Sequence, residues 1–208
     1  MTRETLDNER KLKNSVRIIG GQWRGRRIAF DGAANIRPTP DRVRETLFNW
    51  LMNRVQGASC LDLFAGSGIL GLEALSRGAE RVVFLDTDPR VIKALKAAAG
   101  FLMPSMNQSQ QLLITQADAV IWLSKDNEVA TEKDKAQKQA CDVIFLDPPY
   151  GVNLWLACLR LIKNNNWLKK EGIVYVEADK DLSELIEQAG FSVLKEKKIS
   201  SVYSYLVN

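Results

Sequence analysis

The sequence predicts an α/β fold built on a doubly wound, mostly parallel sheet. Three observations carry this. From Cys60 onward, short strand-like segments alternate with helical stripes. The strands are near-continuous apolar runs, as in sheets buried on both faces. Polar or glycine-rich turns follow successive strands, which is where such sheets bind ligands.

Residues 1–14 read as a frayed tail. Residues 16–19 and 27–30 flank Gly20-Gly21 and Gly25, the pattern of a small hairpin. In Arg37-Pro38-Thr39-Pro40, Thr39 suits an N-cap and Pro40 the first helical position. Val43, Leu47 and Leu51 stripe that helix at i, i+4, i+8, and Gly57 breaks the pattern. Residues 60–64 form an apolar strand, and a glycine turn leads into a helix ending at Arg77-Gly78. Residues 81–86 are the second strand. Asp88-Pro89 caps the next helix, with Val91, Ile92 and Leu95 facing inward and Gly100 closing it. Residues 112–115, 142–146 and 172–177 are the third, fourth and fifth strands. Residues 124–140 are charged and read as a solvated helix or mobile insert. Asp181 with Glu184 opens a helix that Gly190 closes. Residues 191–197 and 201–207 lie too close together for a crossover helix, so they pair antiparallel at a sheet edge.

Composition narrows the function. The chain has 208 residues, 46% apolar and 26% charged, which is ordinary globular usage. No apolar run approaches the ~20 residues of a membrane span, and the polar first ten residues lack a secretory h-region. There is no histidine, which excludes Ser-His-Asp and Cys-His catalysis and any histidine-ligated zinc. Cys60, Cys141 and Cys158 sit far apart among apolar neighbours and read as buried thiols of a cytoplasmic protein. Residues 10–54 hold eleven Lys/Arg against three acids, a net +8, so the rest of the chain is at −4. A basic arm on an acidic body suits an anionic partner. Arg24-Gly25-Arg26-Arg27 beside Trp23 favours nucleic acid over a merely solvated face.

The strand ends carry the chemistry. Residues 61–71 read Leu-Asp-Leu-Phe-Ala-Gly-Ser-Gly-Ile-Leu-Gly, a formal GxGxxG at Gly66, Gly68 and Gly71. Dinucleotides, flavins and S-adenosylmethionine all use such turns, so alone it does not choose among them. Asp86 stands twenty residues past Gly66, where a carboxylate can accept both ribose hydroxyls of an adenosine. Asp118, after the third strand, reads equally as an acceptor for an adenine amine or as a helix N-cap. After the fourth strand comes Asp147-Pro148-Pro149-Tyr150. Its prolines fix φ and lack donors, leaving carbonyls beside the Asp147 carboxylate. Two acceptors next to an aromatic ring match a planar exocyclic amine on a nucleobase, with Tyr150 stacking on the base. Holding both amine hydrogens out of the base plane exposes the nitrogen lone pair for attack on a sulfonium methyl. The base has to be unpaired or flipped out to arrive there.

The stretch from Leu61 to Gly68 resembles the S-adenosylmethionine-binding motif of class I methyltransferases, and Asp147 to Tyr150 resembles the catalytic motif of their amino-methylating branch. The segments at residues 19–26 and 37–48 resemble the N-terminal signature of the RsmD family. The resemblance runs from about Val16 to the C-terminus. It implies a Rossmann-like seven-stranded sheet with a C-terminal antiparallel strand, and methylation of the 2-amino group of one guanine in bacterial 16S ribosomal RNA. It implies cofactor contacts from Asp62, Phe64, Ala65, Gly66, Gly68, Asp86, Thr87, Asp118 and Ala119. The guanine would lie on Asp147, Pro148, Pro149 and Tyr150, and RNA on Arg24, Arg26, Arg27, Arg37, Arg42 and Arg44. An assembling small ribosomal subunit is the implied substrate. The expected organisation is a tail at 1–15, a basic extension at 16–56 and a catalytic domain at 57–208, as a monomer without metal.

Three other readings compete. An adenine or cytosine amino-methyltransferase acting on DNA would use the same local chemistry, but 208 residues leave little room for a target-recognition domain. A nicotinamide-dependent dehydrogenase leaves Asp147 to Tyr150 unexplained. A non-enzymatic RNA-binding module needs neither Asp86 nor Asp147.

Overall fold

The structure is a computed structural model and describes residues 14–30, 36–125 and 140–208. Two sheets and six α-helices are present among these residues. A two-stranded antiparallel hairpin, β1 (Ser15–Arg17) and β2 (Arg27–Ala29), opens the chain. Helix α1 (Asp41–Trp50) follows. The alternating part runs β3 (Ser59–Asp62), α2 (Ile69–Ser76), β4 (Arg81–Asp86), α3 (Pro89–Leu102), β5 (Gln111–Gln116), α4 (Ala119–Ser124) and β6 (Cys141–Leu146). It continues with α5 (Trp155–Asn164), β7 (Leu168–Ala178), α6 (Ser183–Gln188), β8 (Val193–Ile199) and β9 (Val202–Val207).

The large sheet has the order β5-β4-β3-β6-β7-β9-β8. The first five strands are parallel, and β9 runs antiparallel to both β7 and β8. The chain moves outward from β3 through β4 to β5, then returns to lay β6 on the other side of β3. That reversal opens a crevice beyond the carboxyl ends of β3 and β6. The terminal strands pair antiparallel as expected, but β9 inserts between β7 and β8, leaving β8 as the edge. The exposed Lys195, Glu196, Lys197 and Lys198 of β8 guard that edge against further pairing.

Each sheet face carries its own core. On one face, α1, α2, α3 and the hairpin pack Leu47, Phe48, Leu72 and Leu95 against Phe84, Phe145 and Tyr175. On the other, α4, α5 and α6 pack Leu123, Trp155, Leu159 and Ile186 against Leu85, Ile144 and Val176. The hairpin belongs to the first core, with Ile18, Trp23 and Ile28 buried in it. Its bend lies against the end of α2. Trp23 N–H donates to Ser76 Oγ at 2.9 Å, and Ser76 Oγ donates to the Gly20 carbonyl at 2.6 Å. Gly21, at φ 73°, comes so close that a Cβ there would strike the Ser76 carbonyl.

Three local expectations are corrected. Pro40, not Thr39, occupies the cap position of α1, and no side chain caps it. Thr39 is buried, and its hydroxyl bonds to Glu177 instead. Gly100 does not close α3, which continues to Leu102. Most of the 124–140 segment and the 1–13 tail lie outside the described residues. All three cysteines are buried and unbridged, and burial pushes each thiol's pKa up.

Candidate active site

The carboxyl ends of β3, β4 and β6 converge on one crevice. The β3–β6 ladder continues past the strands, with Leu63 N–H donating to the Phe145 carbonyl at 3.1 Å. Phe64 and Ala65 therefore stand beside the start of the Asp147 turn. Asp62 is 3% exposed and accepts from Gly71 N–H at 3.2 Å. Burial, with the nearby Asp86 charge, raises its carboxyl to about 7. Gly68 takes the N-cap position of α2 at φ 74°, and a Cβ there would strike Leu95. A Cβ on Gly71 would strike Phe84, so this glycine lets α2 pack tightly on the sheet. A Cβ on Gly66, at φ 51°, would instead make ordinary contact with Ile36 at 3.6 Å and the Phe64 carbonyl at 3.9 Å.

Asp86 is bound into the same turn. Its Oδ2 accepts from Gly66 N–H at 3.0 Å and its Oδ1 from Asp88 N–H at 2.9 Å. Each oxygen retains a lone pair, so the carboxylate still fits a donor pair such as two ribose hydroxyls. Thr87 is exposed next to it. Asp118 caps α4, with Oδ1 accepting from Ile121 N–H at 2.9 Å, so the N-cap half of its double reading is observed. Ala119 is buried in the core behind that cap and leaves only backbone to offer a ligand.

Asp147 is half-buried, Pro148 buried, and Pro149 and Tyr150 exposed. Burial raises the pKa of the Asp147 carboxyl well above the usual carboxylate range, and the charges of Glu177 and Asp62 add to this. Burial pushes the Tyr150 phenol up to about 12, with Glu177, Asp147 and Asp179 adding to it and Arg37 opposing. Arg37 thus brings the basic segment within electrostatic reach of the Asp147 turn.

The basic residues divide. Arg24, Arg27, Arg37 and Arg42 are exposed. Arg26 is half-buried, donates to Ser105 Oγ at 2.9 Å and lies 5.7 Å from the Phe101 ring centre. Arg44 is the correction: it is fully buried and has no surface to offer RNA. Its guanidinium donates to the carbonyls of Thr39 (3.0 Å) and Arg17 (2.9 Å) and to Asp41, and lies 3.9 Å from Glu73. Burial lowers its pKa, and the two acids oppose that. Glu73, also fully buried, accepts from Ile19 N–H and from Gly20 N–H (3.1 Å). Arg44 and Glu73 together brace the hairpin against α1 and α2.

The sequence reading also missed Glu177, at the end of β7. It is 2% exposed, and burial raises its carboxyl to about 7. The signal was available: an acid closing an apolar strand, the same feature that marks Asp62 and Asp86.

The family model described as Conserved hypothetical protein 95 matches residues 16–208. Ribosomal RNA small subunit methyltransferase D of Haemophilus influenzae is 42% identical over 193 residues, covering 93% of each chain. The Escherichia coli K12 protein of the same name is 35% identical over 187 residues, covering 90% of this chain and 86% of its own. A solved structure of Escherichia coli yhhF, named as a methyltransferase, superposes with a TM-score of 0.77 at 35% identity, covering 93% of this chain and 97% of that one. A Thermus thermophilus 16S rRNA N2 G1207 methyltransferase in complex with AdoMet and guanosine shares the fold. Its TM-score is 0.65 at 21% identity, covering 93% of this chain and 49% of that one. Identity at this level, across nearly the full length of both chains, makes this protein a methyltransferase of the RsmD family.

Proposed function

We propose that this protein transfers a methyl group from S-adenosylmethionine to the exocyclic 2-amino group of a guanine in 16S ribosomal RNA, within an assembling small subunit. One observation carries the reading. A half-buried aspartate on a rigid Pro-Pro turn stands beside the glycine turn of a cofactor-type sheet. The names of the relatives supply the RNA.

S-adenosylmethionine, when bound, supplies an electrophilic methyl on a sulfonium. Asp86 fits its ribose hydroxyls, and Gly66 presents backbone with no side chain of its own in the way. The positive end of the α2 dipole favours its carboxylate end. Asp147 and the Pro148 carbonyl accept the two amine hydrogens, and Tyr150 stacks on the base. The positioned nitrogen lone pair bonds to the methyl carbon as the carbon–sulfur bond breaks, leaving its electrons on sulfur. The Asp147 carboxylate stabilises the charge that develops on nitrogen. Arg24, Arg26, Arg27, Arg37 and Arg42 hold the phosphates.

The test supplies labelled S-adenosylmethionine with small subunits, or naked 16S RNA, from a strain lacking the protein, and identifies the product by nucleoside mass spectrometry. N2-methylguanosine is expected from wild type and none from Asp147→Ala, whose melting temperature stays close to wild type. Methylated adenine or cytosine, or near-normal turnover by the variant, overturns the reading.

A further inference from the structure

Glu177 stands next to Asp147 by strand register. Leu146 of β6 pairs with Val176 of β7, so the next residues along the two parallel strands are Asp147 and Glu177. Parallel partners project to the same face of a sheet. Phe145 and Tyr175, two residues earlier on each strand, show which face: the core shared with α1 and α2.

The Glu177 carboxyl is fixed there. Tyr175 Oη donates to Glu177 Oε2 at 2.9 Å and lies 3.2 Å from Ser204 Oγ. The Thr39 hydroxyl bonds to the same carboxyl, and Trp155 Nε1 donates to the Glu177 carbonyl at 2.9 Å. The groups that bear on the pair come from every side. Thr39 and Arg44 act from the segment leading into α1 and from α1 itself, and Asp62 from β3. Tyr150 acts from the Asp147 turn, and Tyr175 and Ser204 from β7 and β9. Arg44 is the cation in this set, and it also serves Asp41 and Glu73.

We propose that Glu177 is a positioning residue for methyl transfer, acting through its neighbour Asp147 and keeping it able to take the proton that the methylated amine gives up. The inference rests on the amine-methylation reading above. After the nitrogen–carbon bond forms, nitrogen carries a positive charge and two hydrogens. One N–H bond breaks, its electron pair returns to nitrogen, and the proton goes to an Asp147 oxygen. An ordinary carboxylate is a weak acceptor for that proton. A carboxylate forced to share a buried site with a second acid holds protons more strongly. Both groups are raised by burial, and the Glu177 charge raises Asp147 further. The proton then passes from Asp147 to water.

The test measures the pH dependence of kcat/KM for wild type and Glu177→Gln, with S-adenosylmethionine and the small subunit. The glutamine keeps the shape and removes the charge. The acid limb is expected to fall by about one pH unit, since a like charge is lost. At pH 8, kcat is expected to fall about tenfold, part of the ~10²–10⁴ that a positioned proton acceptor contributes. KM for S-adenosylmethionine stays unchanged. Tyr175→Phe is the second variant: it removes a donor to Glu177, leaves that acid neutral to higher pH, and so also moves the acid limb downward. If Glu177→Gln does not fold, Tyr175→Phe decides alone. An unmoved acid limb in the folded variants, with only a lower melting temperature, overturns the inference. A wild-type enzyme that methylates no exocyclic amine overturns the proposed function, and this inference with it.

Discussion

Replacing Glu73 with alanine should loosen the hairpin from the catalytic body. Its carboxylate, fully buried, accepts from Ile19 and Gly20 N–H and lies 3.9 Å from Arg44 and 3.4 Å from Arg77. Truncation leaves two donors without their acceptor, at ~1–3 kcal/mol each. It also strips a partner from buried Arg44, where full loss of a counter-charge costs ~3–5 kcal/mol. Arg44 keeps Asp41, so the low end applies, and the total comes to about 5 kcal/mol. Domains have ~5–15 kcal/mol in all, so this is a large share. In urea, at a slope of ~2 kcal/mol per molar, the midpoint should fall by about 2.5 M. Glu73→Gln should fall by less, because the amide oxygen still accepts from the two N–H groups. A midpoint shift below about 0.5 M for Glu73→Ala would refute the view that this carboxylate braces the hairpin.

The pH dependence of stability provides a second prediction. The Asp62 carboxyl is raised from 3.8 to about 7, so the fold favours its neutral form, and wild type loses stability as pH climbs from about 4 through 7. Three units correspond to about 4 kcal/mol, so the melting temperature of Asp62→Asn should match wild type near pH 3.5 and exceed it increasingly up to pH 8. A constant difference across that range refutes the assignment. Asp86→Ala should weaken S-adenosylmethionine binding by about 1–3 kcal/mol in calorimetric titration; unchanged affinity removes Asp86 from the site. Neutralising Arg24, Arg26 and Arg27 together should flatten the salt dependence of RNA binding by about 0.7 in slope per lost single-strand phosphate contact. An unaltered slope refutes their role.

Local signals carried the sheet. Arg81–Asp86 is read without error because an apolar run ends at an acid and a Pro-capped helix follows. The antiparallel terminus is legible because its two strands are too close for a crossover. Helix α5 escaped notice although Trp155, Cys158, Leu159 and Ile162 form a helical stripe, because Leu154 offers no side-chain cap to mark its start. Arg44 misled because Phe48, four residues on, widens the buried face of α1 beyond the Val43, Leu47 and Leu51 stripe. Its partner Glu73 stands 29 residues away, and nothing local announces such a pair. Sequence distance also hides Thr39, whose hydroxyl serves a strand end 138 residues downstream instead of its own helix.

The position of β9 dictates an order of events. Residues 202–207 follow every other strand in the sequence, yet they sit inside the sheet, hydrogen-bonded on both sides. Until they are supplied, the flank of β7 around Val174 and Val176 has no backbone partner, and β8 has nothing to join. A nascent chain therefore carries an open apolar strand until residues 202–207 emerge, a hazard for mispairing that their insertion removes.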